Sequence, residues 1–347
     1  MDFKALLGTQ LPIVQAPMAG VQDSALAIAV SEVGGLGSLP CGMLSTDKIV
    51  EEIQQITRQT SKPYNLNFFC HQSLAFDEAR QQQWRSRLKP YFSELEITPS
   101  AGGASRVPFS HEIADAIEPF TPPFISFHFG LPEKSLLARV KGWGTRVVSS
   151  ATTVDEALWL EEHGADAIIA QGLEAGGHRG MFLSKDISTQ IGLFALLPQI
   201  VTKVSVPVIA AGGICDSRSV NAAMELGAAA VQVGTAYMLC DEAKTSALHR
   251  QAIQSGRAAH TALTNLFSGK PARGIVNRAM SELGYMSDDA PEFPFASIEM
   301  GLLRAAAEPR GRDDFSPLWC GQNAAGCKQI AAAALTLELA GGFLDVN

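Results

Sequence analysis

The stretch PVIAAGGICDSRSVNAAMELGAAAVQVGTA, residues 207–236, decides the fold. It begins with a short apolar run that ends in a glycine pair, and it continues into a segment with helical spacing from Asp216 to Gly227. Asp is a favoured helix N-cap, and glycine is a favoured helix stop. A second apolar run then leads to Gly234 and Thr235. Strand, glycine turn, capped helix and strand in this order are typical of a βα unit on a parallel sheet.

Apolar runs of this kind recur along the chain, and most of them precede a segment with helical spacing. The segment TTVDEALWLEEHGAD (152–166), for example, begins with a threonine that suits an N-cap and ends near a glycine. Eight such runs are the number that closes a (β/α)8 barrel, so we expect an α/β fold of the TIM-barrel class. The predicted strands are residues 13–18, 36–40, 64–69, 124–129, 146–151, 167–172, 207–213 and 230–236.

Two long segments, residues 70–123 and 241–316, interrupt this repeat. Insertions of this size usually form loops or lids over a site. We therefore expect a barrel formed by residues 1–240 and 317–347, with 70–123 as an insertion, and a lid formed by 241–316. The tail GQNAAGCKQIAAAALTLELAGG (321–342) is rich in helix formers and ends in glycines, so we expect a helix that packs back on the barrel.

The composition excludes several classes of function. Of the 347 residues, 46% are hydrophobic and 18% are charged, which is typical of a globular protein. The net charge of -8 disfavours nucleic acid as a partner, because phosphate binding needs concentrated Lys and Arg. We find no signal-like N-terminus and no apolar run of membrane-spanning length, so we expect a cytoplasmic protein without a membrane partner. Six cysteines without a C-x-x-C pair predict reduced thiols and no metal site.

The glycines after the last two predicted strands suggest a phosphate site. Gly212 and Gly213 follow the seventh strand, and Gly234 and Thr235 end the eighth. Glycine lets backbone N–H groups approach an oxyanion, a following helix N-terminus adds partial positive charge, and the Thr hydroxyl can donate a hydrogen bond. Either glycine turn alone would serve chain reversal, but two in successive loops of a barrel favour a phosphate ligand.

The stretch AQGLEAGGHRG (170–180) follows the sixth predicted strand, where reactive groups of such barrels cluster. Gln171 can donate and accept hydrogen bonds, and Gly176 and Gly177 let backbone lie against a ligand. His178 projects from the same loop, so we interpret it as a catalytic group rather than a structural histidine.

Two further strands carry polar candidates. In YNLNFF (64–69), Asn65 and Asn67 share one face of the strand. Both side chains can be structural amides. Asn67, near the end of the strand, can instead contact a flat ligand or a phosphate. His128 stands at a strand end between two phenylalanines and is a candidate substrate contact. The lid segment FSGKPARGIVNR (267–278) carries three basic residues that are either solvated or placed above an anionic substrate, which a protonated His178 would reinforce.

These residues resemble the nitronate monooxygenase family, formerly called 2-nitropropane dioxygenases. The resemblance spans about residues 13 to 278, and EAGGHRG together with the two phosphate loops is its most specific part. The strand SFHFG and the NFF form of the third strand resemble the class that acts on propionate 3-nitronate. The motifs, in the family's order, are QAPMAG, NLNFF, AQGLEAGGHRG, PVIAAGGI, VQVGTA and SGKPARGIVNR.

The resemblance implies FMN, no metal, and oxidation of a nitronate anion by O2 to a carbonyl compound and nitrite. It also implies that His178 is the active-site histidine, which would remove the α-proton when the substrate is a neutral nitroalkane. The residues implied to hold FMN are Asn67, Gln171 and Gly176 and, at its phosphate end, Gly213, Gln232, Val233, Gly234 and Thr235.

Other functions use similar loops. An FMN-dependent NADH:quinone reductase or enoyl reductase would share the flavin-binding positions. A phosphate-sugar lyase or isomerase without flavin, or a non-catalytic protein that binds a phosphate ligand, would share only the phosphate loops. The sequence also leaves open whether the chain is a monomer or a homodimer.

Overall fold

A ring of parallel strands surrounded by helices forms the centre of the computed structural model, which describes residues 3–99, 106–341 and 343. Within these residues the strands are β1 (Ile13–Gln15), β2 (Gly37–Pro40), β3 (Tyr64–Phe69), β4 (Phe124–His128), β5 (Arg146–Ala151), β6 (Ala167–Gln171), β7 (Gly177–His178), β8 (Val208–Ala211), β9 (Ala230–Val233), β10 (Thr261–Thr264) and β11 (Ala272–Ile275).

The α-helices of the described residues are α1 (Phe3–Leu7), α2 (Ser24–Glu32), α3 (Thr46–Gln59), α4 (Glu78–Glu94), α5 (His111–Ile117), α6 (Lys134–Gly142), α7 (Val154–Glu162), α8 (Leu193–Val201), α9 (Ser217–Glu225), α10 (Ala247–Gln254), α11 (Arg278–Leu283), α12 (Ser297–Ala307) and α13 (Ala332–Leu339). Short 3-10 turns cover Glu118–Phe120, Ile187–Thr189, Thr235–Leu239, Arg257–Ala259 and Glu308–Arg310. None of the helices described here is long and apolar enough to cross a membrane.

The large sheet closes on itself. Its strands pair in parallel in the order β1-β9-β8-β6-β5-β4-β3-β2. A parallel bridge between Val14 and Leu36 joins the two ends, and the Leu36 N–H donates to the Ile13 carbonyl at 2.8 Å. The predicted (β/α)8 barrel and its eight strand runs are therefore confirmed. Several runs end earlier than predicted, because their last residues form the loops that border a cavity.

The predicted caps are present. Asp216 accepts from the Ser219 N–H, and the Ser219 hydroxyl bonds back to the Asp216 N–H, which makes a capping box at the start of α9. Gly227 follows that helix with a φ of +97°, the left-handed region that glycine adopts without strain. Thr153 caps α7 in the same way by accepting from the Glu156 N–H.

The two insertions share a hydrophobic core, which the sequence did not predict. Helix α4 of the first insertion buries Trp84 and Leu88 against side chains of residues 262–319, among them Met300 and Phe315. The other described helix of that insertion, α5, packs on the barrel beside α3 instead. Residues 100–105, within the predicted insertion, lie outside the described residues.

A small antiparallel sheet links the barrel to the second insertion. Strand β7 pairs with β11, and β11 pairs with β10. In this pairing Ala272 lies opposite His178 and Arg273 lies opposite Gly177. The loop that carries His178 is thus held by the segment predicted as a lid.

The tail is less helical than predicted. Among the tail residues that the structure describes, only α13 is α-helical, and it packs against α2 and α9 on the outside of the barrel. The preceding residues form a loop, because their polar groups bond to barrel loops instead of to a helix: the Gln322 N–H donates to the Glu174 carbonyl at 2.9 Å, and the Asn323 amide donates to the Gly213 carbonyl at 2.9 Å.

Candidate active site

A large cavity opens where the carboxyl ends of the barrel strands meet. Side chains alternate between the two faces of a strand, so the inward positions nearest these ends line the cavity. The predicted site residues that line it are Asn67, His128, Gln171, Gly176, His178, Gly213, Gln232, Gly234 and Thr235. Val233 is the exception.

Val233 points the other way because it follows Gln232 in the strand. Its side chain is 1% exposed and belongs to the apolar layer between the barrel strands and the outer helices. Its carbonyl accepts from the Ala16 N–H at 2.8 Å, which pairs β9 with the chain after β1. The Val233 side chain therefore does not line the cavity, and the contact of Val233 to the cofactor stays a prediction for its backbone.

The glycine loops present a group of backbone donors. Gly213, Ile214, Gly234 and Thr235 line the cavity, and their N–H groups form no hydrogen bond to any residue that the structure describes. Such a cluster of available N–H groups is the arrangement that binds a phosphate or carboxylate. The Thr235 hydroxyl accepts from the Gly321 N–H at 2.9 Å, so its own hydrogen is available to a ligand.

The N-terminus of α9 already has a negative cap. The carboxylate of Asp216 accepts from the Ser219 N–H at 2.8 Å. This charge offsets part of the positive end of the helix dipole. The N–H groups of the glycine loops are therefore the donors that remain available for the predicted anion.

Gln171 and Asn67 both have structural bonds. The Gln171 amide donates to the His178 carbonyl at 2.9 Å, and its oxygen accepts from the Gly180 N–H at 2.8 Å, so this side chain fixes the His178 loop. The Asn67 amide donates to the carbonyl and the hydroxyl of Ser126 at 3.1 and 3.0 Å. Asn67 keeps its oxygen free of hydrogen bonds to described residues, and a ligand in the cavity can use it.

His178 is held among aromatic rings. Its Nε2 lies 2.8 Å from the Ser268 hydroxyl, whereas its Nδ1 has no hydrogen-bond partner among the described residues. The ring centroids of Trp319, Phe293 and Phe129 lie 5.5, 5.7 and 6.1 Å from that of the imidazole. Burial, assisted by nearby positive charge, lowers the pKa of His178 well below its usual range. The imidazole is therefore neutral at pH 7 and can accept a proton.

Two cations flank this aromatic group. The Arg106 guanidinium lies 5.1 Å from the centre of the Phe293 ring, and the Lys270 ammonium lies 4.5 Å from the centre of the Phe129 ring. Neither cation has a carboxylate within 4.0 Å among the described residues. Burial lowers the pKa of both groups. Arg106 lines the cavity, whereas Lys270 lies beside it on Phe129, where the charge of Glu292 acts on its ammonium. The positive charge at this end of the cavity suits an anionic ligand.

The other basic residues of the lid segment lie elsewhere. Arg273 is 4% exposed and donates to the Leu173 carbonyl at 2.9 Å. Arg278 forms a surface ion pair with Glu94, with an N–O distance of 2.8 Å. Of the three lid cations, only Lys270 lies beside the site, and the neutral state of His178 means that it does not add a positive charge.

His128 supports the His178 loop. Its Nδ1 lies 3.1 Å from the Ser150 hydroxyl and its Nε2 lies 3.1 Å from the His178 carbonyl, so both ring nitrogens are engaged. Burial lowers the pKa of His128 to about 4, which makes it neutral at pH 7. Since both nitrogens already have partners, only the carbon edge of the ring is left for a ligand. The substrate contact of His128 therefore stays a prediction.

Two parts of the cavity were not predicted from the sequence. The first is the loop before α13, where Trp319, Gly321 and Asn323 line the cavity. Its glycines and asparagine are turn signals that argue against the helix predicted there. The second is Arg106, which no sequence pattern marked, because it lies in an insertion with no strand to give it a direction.

Comparison with known proteins gives consistent matches over nearly the whole chain. The family model described as nitronate monooxygenase matches residues 2–340. A nitronate monooxygenase of Pseudomonas aeruginosa is 42% identical, with 97% of each chain covered. A solved structure of nitroalkane oxidase from Streptomyces ansochromogenes is 35% identical with a TM-score of 0.90, covering 99% of this chain and 98% of that chain. FabK from Thermotoga maritima is 26% identical with a TM-score of 0.75, covering 98% of this chain and 94% of that chain.

The lowered pKa of His128 predicts that the protein becomes less stable in mild acid. The pKa of His128 is about 4 in the folded chain and about 6.5 when unfolded, so the unfolded state binds more protons between these values. The free energy of unfolding should therefore drop by about 2 kcal/mol from this residue as the pH falls from 7 to 5. Urea denaturation at several pH values measures the drop. His128→Gln should show a shallower dependence than the parent, and an unchanged dependence would mean that His128 titrates normally.

Proposed function

This chain belongs to the nitronate monooxygenase family of oxidoreductases, and we propose that it oxidises alkyl nitronates with O2 to carbonyl compounds and nitrite, with FMN bound in the cavity. The observation that carries this proposal is the pair of cations Arg106 and Lys270, which lie on the aromatic rings around His178 and have no carboxylate within 4.0 Å among the described residues. A nitronate is an anion, so it would supply the missing charge at the place where a base is available.

The cavity residues fit FMN. The unpaired N–H groups of Gly213, Gly234 and Thr235 suit the three oxygens of a terminal phosphate. The Gln232 oxygen is buried without a hydrogen-bond partner and lines the same cavity, so a donor on the cofactor would satisfy it. At Gly176 a Cβ would lie 2.5 Å from the Gly321 nitrogen, so only glycine leaves room for these two backbones beside a ligand.

The remaining residues proposed at the cofactor either contact it directly or hold a neighbouring loop in place. Asn67 offers a free amide oxygen to the cofactor from the inner face of β3. Gln171 holds the His178 loop with both ends of its amide, so we propose that it acts on the cofactor mainly by fixing that loop. For Val233, only its backbone remains as a contact.

FMN, when bound, supplies the electron transfer on which the oxidation depends. The residues of this chain would bind and orient the anion between Arg106 and Lys270, while Phe129 and Phe293 exclude water from it. For a neutral nitroalkane, His178 would remove the α-proton, and the nitronate formed would be stabilised by the same two cations.

The finer substrate assignment is propionate 3-nitronate. This compound carries a carboxylate as well as the nitronate group, and two unpaired cations at one end of the cavity suit two negative charges. The strand Phe124–His128 and the run Asn67–Phe69 also resemble the class of the family that acts on it.

The cofactor proposal makes a prediction at Gly234. A Cβ on this residue would lie 3.3 Å from the Ala16 side chain, so that neighbour must shift by a few tenths of an ångström, and its φ of −114° is open to any residue. Gly234→Val should fold and lose bound FMN, because the new methyl groups would occupy the space where phosphate oxygens meet N–H groups. Flavin per chain is measured by absorbance after heat release. Gly142→Val, where a Cβ would contact nothing within 4 Å, is the control.

The proposal would be contradicted at this point by a Gly234→Val protein that keeps one FMN per chain. FAD in place of FMN in the parent protein would contradict it as well.

A second prediction concerns His178. His178→Asn should keep its fold and its FMN, since the pairing of β7 with β11 is made by the backbone and the imidazole adds one side-chain hydrogen bond, to Ser268, yet it should affect two substrates unequally. A preformed nitronate needs no deprotonation, whereas a neutral nitroalkane should lose about 10²- to 10⁴-fold in kcat/KM, the usual effect of a missing general base. Nitrite release from both substrates measures the difference. Equal and small losses would make His178 a structural residue.

A further inference from the structure

We infer that Ser268 is a positioning residue that holds His178 in the tautomer with Nε2 protonated, so that Nδ1 presents its lone pair to the cavity. The inference rests on the proposed role of His178 as a base and adds the group that makes that role possible. The two nitrogens of a neutral imidazole differ, and the partner of one decides which of them can accept a proton.

The contact is short and buried. The Ser268 hydroxyl lies 2.8 Å from His178 Nε2, and Ser268 is 1% exposed, so water does not compete for the bond. Ser268 stands in the turn between β10 and β11, and β11 pairs with the strand that contains His178. Gly269 in this turn packs closely against the neighbouring chain. A Cβ there would lie 2.3 Å from the Pro291 carbonyl oxygen, so the turn has no room for another residue type.

The surroundings of the hydroxyl favour a direction for this bond. The Ser268 oxygen lies 3.3 Å from the Lys270 carbonyl, which receives no other hydrogen bond from the residues that the structure describes. If Ser268 donates to that carbonyl, its oxygen accepts from His178 Nε2–H and from the Lys270 N–H at 3.4 Å, and Nδ1 is the one group of this set left for a ligand. If Ser268 donates to Nε2 instead, the carbonyl loses its partner and Nδ1 carries the proton. The first arrangement leaves fewer unsatisfied groups.

The ring has no competing anchor. Its neighbours Phe129, Phe293 and Trp319 contact it as aromatic rings and accept no conventional hydrogen bond from it. Nδ1 has no described partner, and His178 lines the cavity. The Ser268 bond is therefore the polar contact of the imidazole that can select between the two tautomers.

This arrangement suits proton removal from a neutral nitroalkane. The α-carbon–hydrogen bond breaks, the proton goes to His178 Nδ1, and its electron pair becomes part of the nitronate. The Nε2–H bond to Ser268 persists in the imidazolium, so the ring need not turn during the step. Charge balances, because a neutral base and a neutral acid give a cation and an anion beside Arg106 and Lys270.

The test uses the FMN-loaded protein with ¹⁵N-labelled histidine. Long-range ¹H–¹⁵N correlation spectra distinguish the two tautomers, and the signals of His178 are those absent from His178→Asn. The parent should show a protonated Nε2. Ser268→Ala should show averaged tautomers and should lose about tenfold or more in kcat/KM for a neutral nitroalkane, while turnover of a preformed nitronate changes by less than about twofold.

Two variants separate positioning from folding. Ser268→Thr keeps the hydroxyl and should restore both the spectrum and the rate with the neutral substrate. Thr264→Ala removes another buried hydroxyl of the same hairpin, one that bonds the Leu266 N–H at 3.2 Å and does not touch His178, so it should change neither readout.

The inference is overturned if Ser268→Ala keeps the protonated Nε2 signal, or if Thr264→Ala has the same effect on the tautomer. The proposed function fails separately, if the parent protein releases no nitrite from either substrate. In that case the spectra still report whether Ser268 sets the tautomer.

Discussion

The antiparallel pairing of Gly177–His178 with Ala272–Arg273 is the contact on which the site depends. It joins the loop after β6, which belongs to the barrel, to a hairpin of the second insertion. Arg179 reinforces the joint: its N–H donates to the Pro271 carbonyl at 2.8 Å, and its fully buried guanidinium donates to the carbonyls of Gln171 and Gly172 at 2.8 and 2.7 Å. Buried donors of this kind are costly to leave unpaired, so this loop has little freedom to move.

The pairing of β7 with β11 also determines which charges lie near the cavity. The hairpin brings Lys270 beside Phe129, and the first insertion brings Arg106 beside Phe293, so charge gathers around an apolar group of rings. Burial keeps His178 neutral, since a third positive charge there would be costly. Burial raises the free-energy cost of the two charges in the protein without a ligand. It also strengthens their electrostatic attraction to a desolvated anion, because the surrounding dielectric constant is low.

The barrel could be predicted from the sequence, because short apolar runs, capped helices and glycine turns are visible in a window of a few residues. The direction of each side chain needs more than a motif: Gln232 and Val233 are neighbours in β9, and because side chains alternate between the faces of a strand, only Gln232 lines the cavity. Arg106, Ser268 and the Gly321 loop were not predicted as parts of the site. They reach it through long-range contacts that no local pattern encodes. The bond from Gly321 to Thr235 spans 86 residues and that between His178 and Ser268 spans 90, while Arg106 lies over the ring of Phe293.

The family and the cavity together lead us to expect oxidation of a nitronate and no reduction of a substrate by a nicotinamide. The most direct measurement follows oxygen uptake and nitrite release by the purified holoprotein with a preformed alkyl nitronate, beside NADH oxidation with a quinone or an enoyl thioester. We expect oxygen uptake and nitrite with the nitronate and no turnover of NADH. NADH oxidation without nitrite release would contradict this expectation and would favour a reductase.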